Sequence, residues 1–189
     1  YSFKESTVPA NYTETYSEDG LTVTNTYTIP DDGTFTATKV WVDGPKPLNE
    51  VRFQLYRNIA DGIPAAVGEP VSLTEDGYTW NNLEETDIDG NEYIYSFKES
   101  TVPANYTASY SEDGLTVTNT YTIPADGTFT ATKVWVDGPK SLSEVRFQLY
   151  RNIANGTPEE VGDPVELTEL TYTWNNLEKT DINGNEYIY

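Results

Sequence analysis

The 189-residue sequence contains no cysteine, no histidine and no methionine. Without thiols there are no disulfides and no thiol nucleophile. Without histidine as well, histidine-based triads and every zinc site built on Cys or His are excluded. Positive charge is scarce: 11 Lys+Arg stand against 31 Asp+Glu, a formal charge of −20. Nucleic-acid binding rests on basic groups that neutralise phosphates, so it is not expected. Docking on anionic lipid is disfavoured for the same reason. No apolar run approaches the roughly 20 residues that a membrane helix needs, and no membrane insertion is expected. No secretory or lipidation signal is visible, so any targeting segment would lie outside these residues. Tyrosine, by contrast, is plentiful at 15. An acidic, tyrosine-rich chain without cysteine suits an exported protein that must be stable without disulfides.

Internal periodicity settles the organisation. Residues 1–94 and 95–188 align without a gap and differ at 15 of the 94 positions. Tyr1-Ser2-Phe3-Lys4-Glu5 recurs as Tyr95-Ser96-Phe97-Lys98-Glu99, Asn25 as Asn119, and Lys39 as Lys133, while Tyr189 opens a third copy. The differences cluster in polar stretches such as 61–66 against 155–160, where loops tolerate change. A unit of this size is too long for a solenoid repeat and suits an independent small domain. The strongest linker signal is Thr28-Ile29-Pro30-Asp31-Asp32-Gly33, matched at 122–127. Cutting there predicts one complete domain at 34–122, the C-terminal part of a repeat domain at 1–29, and the N-terminal part of another at 128–189. The two partial pieces hold one domain's worth of sequence in the wrong chain order and are expected to combine. The six-residue linkers reach only about 20 Å. Completion between neighbouring chains, head to tail, is therefore favoured over completion within one, and a contact of that kind propagates as a filament.

Within the complete unit the local signal is β throughout. Strands are expected at 34–42, 50–58, 67–74, 78–83, 92–99, 105–110 and 114–122, rich in Val, Thr, Tyr, Phe and Trp and separated by turn clusters such as Asp43-Gly44-Pro45. No stretch sustains a helical apolar stripe. About seven short strands read as an all-β, immunoglobulin-like antiparallel sandwich in tandem repeats. So small a core is marginal without a staple, and with no cysteine the staple has to be something else.

Strand alternation points to candidates. In Thr34–Val42 one face carries Phe35, Ala37, Lys39 and Trp41, which places a lysine among large aromatics. In Leu115–Tyr121 one face carries Leu115, Val117, Asn119 and Tyr121. In Tyr93–Glu99 the row is Tyr93, Tyr95, Phe97 and Glu99. Three strands thus each hold one polar residue in an apolar slot: Lys39, Asn119 and Glu99. Three readings follow: ragged strand ends that face water, a buried Lys–Glu pair with Asn bonded beside it, or a reaction. Burial disfavours charge, so a lysine there tends toward the nucleophilic neutral amine, and a buried carboxyl toward its protonated form. Attack of the amine on the Asn side-chain carbon, assisted by the acid, would expel ammonia and leave an amide between the two side chains.

Thr-Lys-Val-Trp at 38–41, Tyr-Ser-Phe-Lys-Glu-Ser-Thr-Val-Pro-Ala-Asn-Tyr at 95–106 and Val-Thr-Asn-Thr-Tyr at 117–121 resemble the Cna B-type domain, the collagen-adhesin B repeat of Gram-positive surface proteins and pilins. The resemblance covers the entire 94-residue unit. It implies a prealbumin-like variant of the immunoglobulin sandwich with an autocatalytic Lys–Asn isopeptide bond. Lys39 and Asn119 take the bonding positions and Glu99 that of the catalytic acid; Lys133, Asn25 and Glu5 form the other set. It further implies a structural stalk on the cell surface of a secreted, wall-anchored protein, with neighbouring repeats as partners, no cofactor, and a single self-cross-linking event in place of enzymatic turnover. The alternative is a ligand-binding adhesive module that recognises a host protein or glycan through its aromatics. Asp87-Ile88-Asp89-Gly90-Asn91-Glu92 is only faintly like a calcium loop and lacks the twelve-residue spacing, so no metal site is expected.

Overall fold

A computed structural model describes residues 3–189; Tyr1 and Ser2, which begin the 1–29 piece, lie outside the described residues. Among the described residues there is no α-helix, only strands and two single-turn 3₁₀ segments at Leu48–Glu50 and Leu142–Glu144. The chain divides into two compact units, one made of residues up to Val40 with Pro47–Pro103 and Ala108–Thr118, the other of Trp41–Lys46, Ala104–Thr107 and Asn119–Tyr189.

The first unit begins with a hairpin, β1 (Tyr12–Tyr16) and β2 (Val23–Tyr27), paired from Tyr12↔Tyr27 to Tyr16↔Val23. Its turn closes through the Gly20 N–H to the Ser17 carbonyl, and Asp19 accepts the Ser17 hydroxyl and the Leu21 N–H. Seven strands follow in chain order: β3 (Gly33–Val42), β4 (Arg52–Ile59), β5 (Ala65–Ser72), β6 (Gly77–Leu83), β7 (Tyr93–Thr101), β8 (Tyr106–Tyr110) and β9 (Thr116–Tyr121); the last residues of β3 and β9 and the first two of β8 are counted with the second unit. They form a four-stranded sheet, β6-β3-β9-β8, and a three-stranded sheet, β5-β4-β7. This is the seven-stranded antiparallel sandwich that the alternation predicts. The first and last of the seven strands are neighbours in the middle of the larger sheet.

Inward positions of both sheets build the core: Ala37, Val51, Phe53, Leu55, Phe97 and Val117 are all buried. Phe97 of one sheet meets Phe35 of the other, ring centroids 6.2 Å apart, and packs on Phe53 at 4.8 Å. Leu115, placed on the inward row by alternation, is 42% exposed because it lies in the turn before β9 begins.

A buried glutamine was not legible in that pattern. The β4–β5 ladder shifts register between Phe53 and Leu55, a bulge that leaves carbonyls without ladder partners. The Gln54 side-chain amide donates to the carbonyls of Leu55, Val67 and Gly68 at 2.8, 3.2 and 3.2 Å. Gln148 makes the same three bonds in the second copy.

The second unit carries β10 (Gly127–Thr132), β11 (Arg146–Ile153), β12 (Glu159–Glu166), β13 (Thr171–Leu177) and β14 (Tyr187–Ile188), in sheets β10-β13 and β12-β11-β14. Pairings repeat at the 94-residue offset, Phe129↔Trp174 answering Phe35↔Trp80. β10 has six residues where β3 has ten. Among the described residues its sheet holds only β13, with no counterpart of β9 along the other edge. Val134 and Val136 are accordingly 70% and 85% exposed.

Replacing Gln54 with Leu, which keeps the bulk and removes the donor, leaves bulge carbonyls unpaired. The expected loss is about 1–3 kcal/mol, read as a lower urea midpoint at unchanged slope.

Candidate functional site

Lys39 lies on β3 between Ala37 and Trp41, and its period-two position directs it between the sheets. Glu99 reaches the same interior from β7. Both side chains are wholly shielded from solvent, with Nζ 3.9 Å from Oε2. The Lys39 Nζ also donates to the Val40 carbonyl at 3.1 Å. Burial is the largest influence on this amine and lowers its pKa to about 8, against the opposing pull of the Glu99 and Asp76 charges. Near neutral pH an appreciable fraction of such a lysine is the neutral amine. Asn119 sits on β9, the sheet neighbour of β3, with no exposed surface. None of the three polar residues points into water, so ragged strand ends do not explain them.

Other side chains frame the site. The backbone N–H of Glu99 donates to the Tyr110 hydroxyl at 2.8 Å, and the Tyr110 ring lies 5.8 Å from that of Phe97. Burial, ahead of other influences, raises the Tyr110 pKa. Trp41 meets Tyr106 edge to face and Tyr106 meets Tyr121 at a tilt, with centroid spacings of 5.2 Å each, and the Tyr106 hydroxyl donates to the Pro45 carbonyl. Tyr110 was missed as a site residue by sequence reasoning. Its signal was present, since Tyr106, Ala108 and Tyr110 share one face of β8.

The other set is placed differently. Asn25 Nδ2 donates to Glu5 Oε1 at 3.0 Å, and the Glu5 N–H donates to the Tyr16 hydroxyl at 2.8 Å, repeating the Glu99–Tyr110 bond. The amide, on β2, and the acid, ahead of the hairpin, thus already meet within residues 5–25. Lys133 belongs to the other unit, where its Nζ donates to the Val134 carbonyl at 3.2 Å and lies 4.5 Å from the Trp135 ring centroid. The carboxylate of the Asp87 loop is taken up locally: it accepts the N–H groups of Asp89 and Asn91 and the Asn91 side-chain amide, at 2.8–2.9 Å.

The family model of the Cna protein B-type domain matches residues 35–120 and again 129–189. A collagen adhesin of Staphylococcus aureus is 30% identical over 171 residues, covering 85% of this chain and 14% of the adhesin. The chain therefore spans about a seventh of the length of that relative. Among solved structures, two B repeat units (B1B2) of the collagen binding protein of Staphylococcus aureus share 26% identity over 95% of this chain and 49% of that one, with a TM-score of 0.41. A streptococcal ancillary pilin shares 22% identity over 82% of this chain and 53% of the pilin, with a TM-score of 0.27.

The buried Lys39 amine has a measurable signature, read most simply in a variant with Asn119 replaced by Ala. Its side-chain NMR resonance should titrate with a midpoint near 8, well below the ordinary lysine value of 10.5. Between those two values the unfolded chain holds the proton that the folded one has released, so stability of this variant should rise with pH across that window. Adding Glu99→Gln removes a charge that favours the ammonium and should move the midpoint lower still. An ordinary lysine titration would contradict the burial effect.

Proposed function

The chain belongs to the Cna protein B-type domain family, and from that premise we propose that it is a stalk segment of a Gram-positive surface adhesin or pilin-like protein, stapled by self-formed Lys–Asn isopeptide bonds. The observation that carries this reading is a lysine with no exposed surface, 3.9 Å from an equally buried glutamate, its amine pushed down to about 8.

The neutral Lys39 Nζ attacks Asn119 Cγ. Protonated Glu99 donates a hydrogen bond to the side-chain carbonyl oxygen and polarises it. One proton leaves Nζ, passes through the carboxyl group and reaches Nδ2 as the Cγ–Nδ2 bond breaks. Ammonia departs, an Nζ–Cγ amide remains, and Glu99 ends in its starting form. Lys39 and Asn119 are consumed, so each domain reacts once. The bond joins the first of the seven strands to the last. In the chain-entropy model, closing a loop of such length stabilises by on the order of 4–5 kcal/mol. Tension entering at β3 leaves at β9 through covalent bonds, and the strands between are bypassed.

Denaturing mass spectrometry tests the chemistry. The purified chain should be lighter than its sequence mass by one ammonia for each bond. Lys39→Ala and Asn119→Ala should each remove the deficit at this site, and Glu99→Ala should leave most molecules unlinked. Each variant should unfold at lower denaturant concentration. A wild-type chain of full sequence mass would overturn the proposal.

The partner reading extends from the same fold. Among the described residues β1 and β2 pair only with each other, and β10 has one open edge. Residues 1–29 carry Glu5 and Asn25, the open-edged piece carries Lys133, and together they hold a full set. A second copy of the 189-residue chain thus fits as the partner that completes 128–189 with its own 1–29. Light scattering should show mass growing with concentration, and deleting 1–29 should abolish the growth. A monomer at every concentration would refute this association.

A further inference from the structure

Two contacts recur at the repeat spacing, away from the lysine site. The Tyr27 hydroxyl meets Thr86 Oγ1 at 2.7 Å, and the Tyr121 hydroxyl meets Thr180 Oγ1 at 2.8 Å. The Pro30 carbonyl accepts the Glu85 N–H at 2.8 Å, and the Pro124 carbonyl accepts the Lys179 N–H at 2.7 Å. In both cases the last strand of one repeat, and the linker after it, are tied to the loop that follows β6 or β13 in the next. One joint lies wholly within the first compact unit and the other wholly within the second. The same joint is thus built twice. A Pro-Asp-Gly stretch that composition reads as a free spacer is hydrogen-bonded at its proline. The second joint has a further bond, Gly44 N–H to the Ile182 carbonyl at 2.8 Å. Gly184 faces Pro45 so closely that an added Cβ would come within 2.5 Å of the ring.

The joints differ in charge. In the second, Lys179 Nζ lies 2.8 Å from Asp126 Oδ1, and this bond lowers the Asp126 pKa. In the first, the same positions hold Glu85 and Asp32, which line one cleft together with Glu84 and Glu92. Glu84 is paired with Arg57 at 2.6 Å. The exchange of Glu85 for Lys179 therefore turns a like-charge position into an ion pair. A single exposed ion pair contributes little to the stability of a whole domain. A joint held by a few hydrogen bonds has little else, so attraction at one and repulsion at the other decide how firmly each closes.

We propose that the loop carrying Glu85-Thr86, and its copy Lys179-Thr180, is a docking surface for the preceding repeat, and that the residue at 85/179 sets how tightly the joint is held. The partner is the C-terminal end of the neighbouring repeat, presented by its last-strand tyrosine and its linker proline. Lys179 clamps its joint, while Glu85 leaves the other loose. The stalk is therefore not uniformly stiff: its bending is written into one side chain per joint. This does not depend on the isopeptide bond, whose mass readout is separate.

The absence of cysteine allows clean spin labelling of the full chain. Ala10→Cys with Ile63→Cys spans the first joint, and Ala104→Cys with Thr157→Cys spans the equivalent positions of the second. Pulsed electron paramagnetic resonance at low salt should give a narrower distance distribution across the second joint. Glu85→Lys should narrow the first, and Lys179→Glu should broaden the second. Molar salt, where the screening length falls to about 3 Å, should shrink the effect of both charge swaps. Tyr27→Phe and Tyr121→Phe should each broaden their own joint. Widths that ignore both charge swaps would overturn the tuning. Broad distributions at both joints, untouched by the tyrosine changes, would overturn the docking surface itself.

Discussion

A charged pair has to be kept in a dry interior, and the rest of this sandwich is arranged around that demand. Lys39 and Glu99 have no exposed side-chain surface. Two ions there are costly, and their mutual attraction offsets the loss of hydration only where geometry is excellent. At 3.9 Å the pair lacks the short contact of a strong ion pair. Transfer of the proton, to give an amine and an acid, relieves the cost by removing both charges. The lysine value of about 8 reflects burial outweighing the opposing pull of the Glu99 charge. Phe53, Leu55, Phe97 and Val117, all buried, supply the apolar surroundings that create it. The core that stabilises the fold is thereby also what weakens the hold of the amine on its proton.

Topology decides what such reactivity could achieve. β3 and β9 are far apart in the chain and adjacent in the sheet. A cross-link between neighbouring strands of a hairpin would close a short loop and add little. Between these two it encloses almost the whole sandwich. A small domain without disulfides gains most from a link in that place.

Much of this was legible from period two alone. Phe35, Ala37, Lys39 and Trp41 share a face because side chains alternate, and a lysine in that row has nowhere to go but inward. The same rule found Glu99 and Asn119, and the seven strands lie close to where composition and turn residues place them. Sheet order was not legible, since local pattern says nothing of which distant strands pair. Gln54 was hidden for a different reason. A glutamine in an apolar run reads as an ordinary surface residue until a bulge supplies three carbonyls for it. Leu115 illustrates the opposite error, a residue in phase with the strand that lies just ahead of it and stays exposed. The tyrosine–threonine bonds of the joints connect residues 59 apart in the chain. Neither type signals such a partner in sequence.

The fifteen differences between the copies separate chemistry from its tuning. Lysine, asparagine, glutamate and the supporting tyrosine are the same in both copies, as is the bulge-filling glutamine. Charges around them are not. Asp76 is one of two acids that hold the Lys39 proton on, and the equivalent residue is Leu170. The second copy thus has an apolar side chain where the first has a charge. Glu85 and Lys179 act in the same manner at the joints. The interior lysine, glutamate and asparagine are the same in both copies, as the geometry of the proposed reaction requires. Peripheral charges act through a softer, distance-dependent field, and a repeat array can vary them one copy at a time without rebuilding the site.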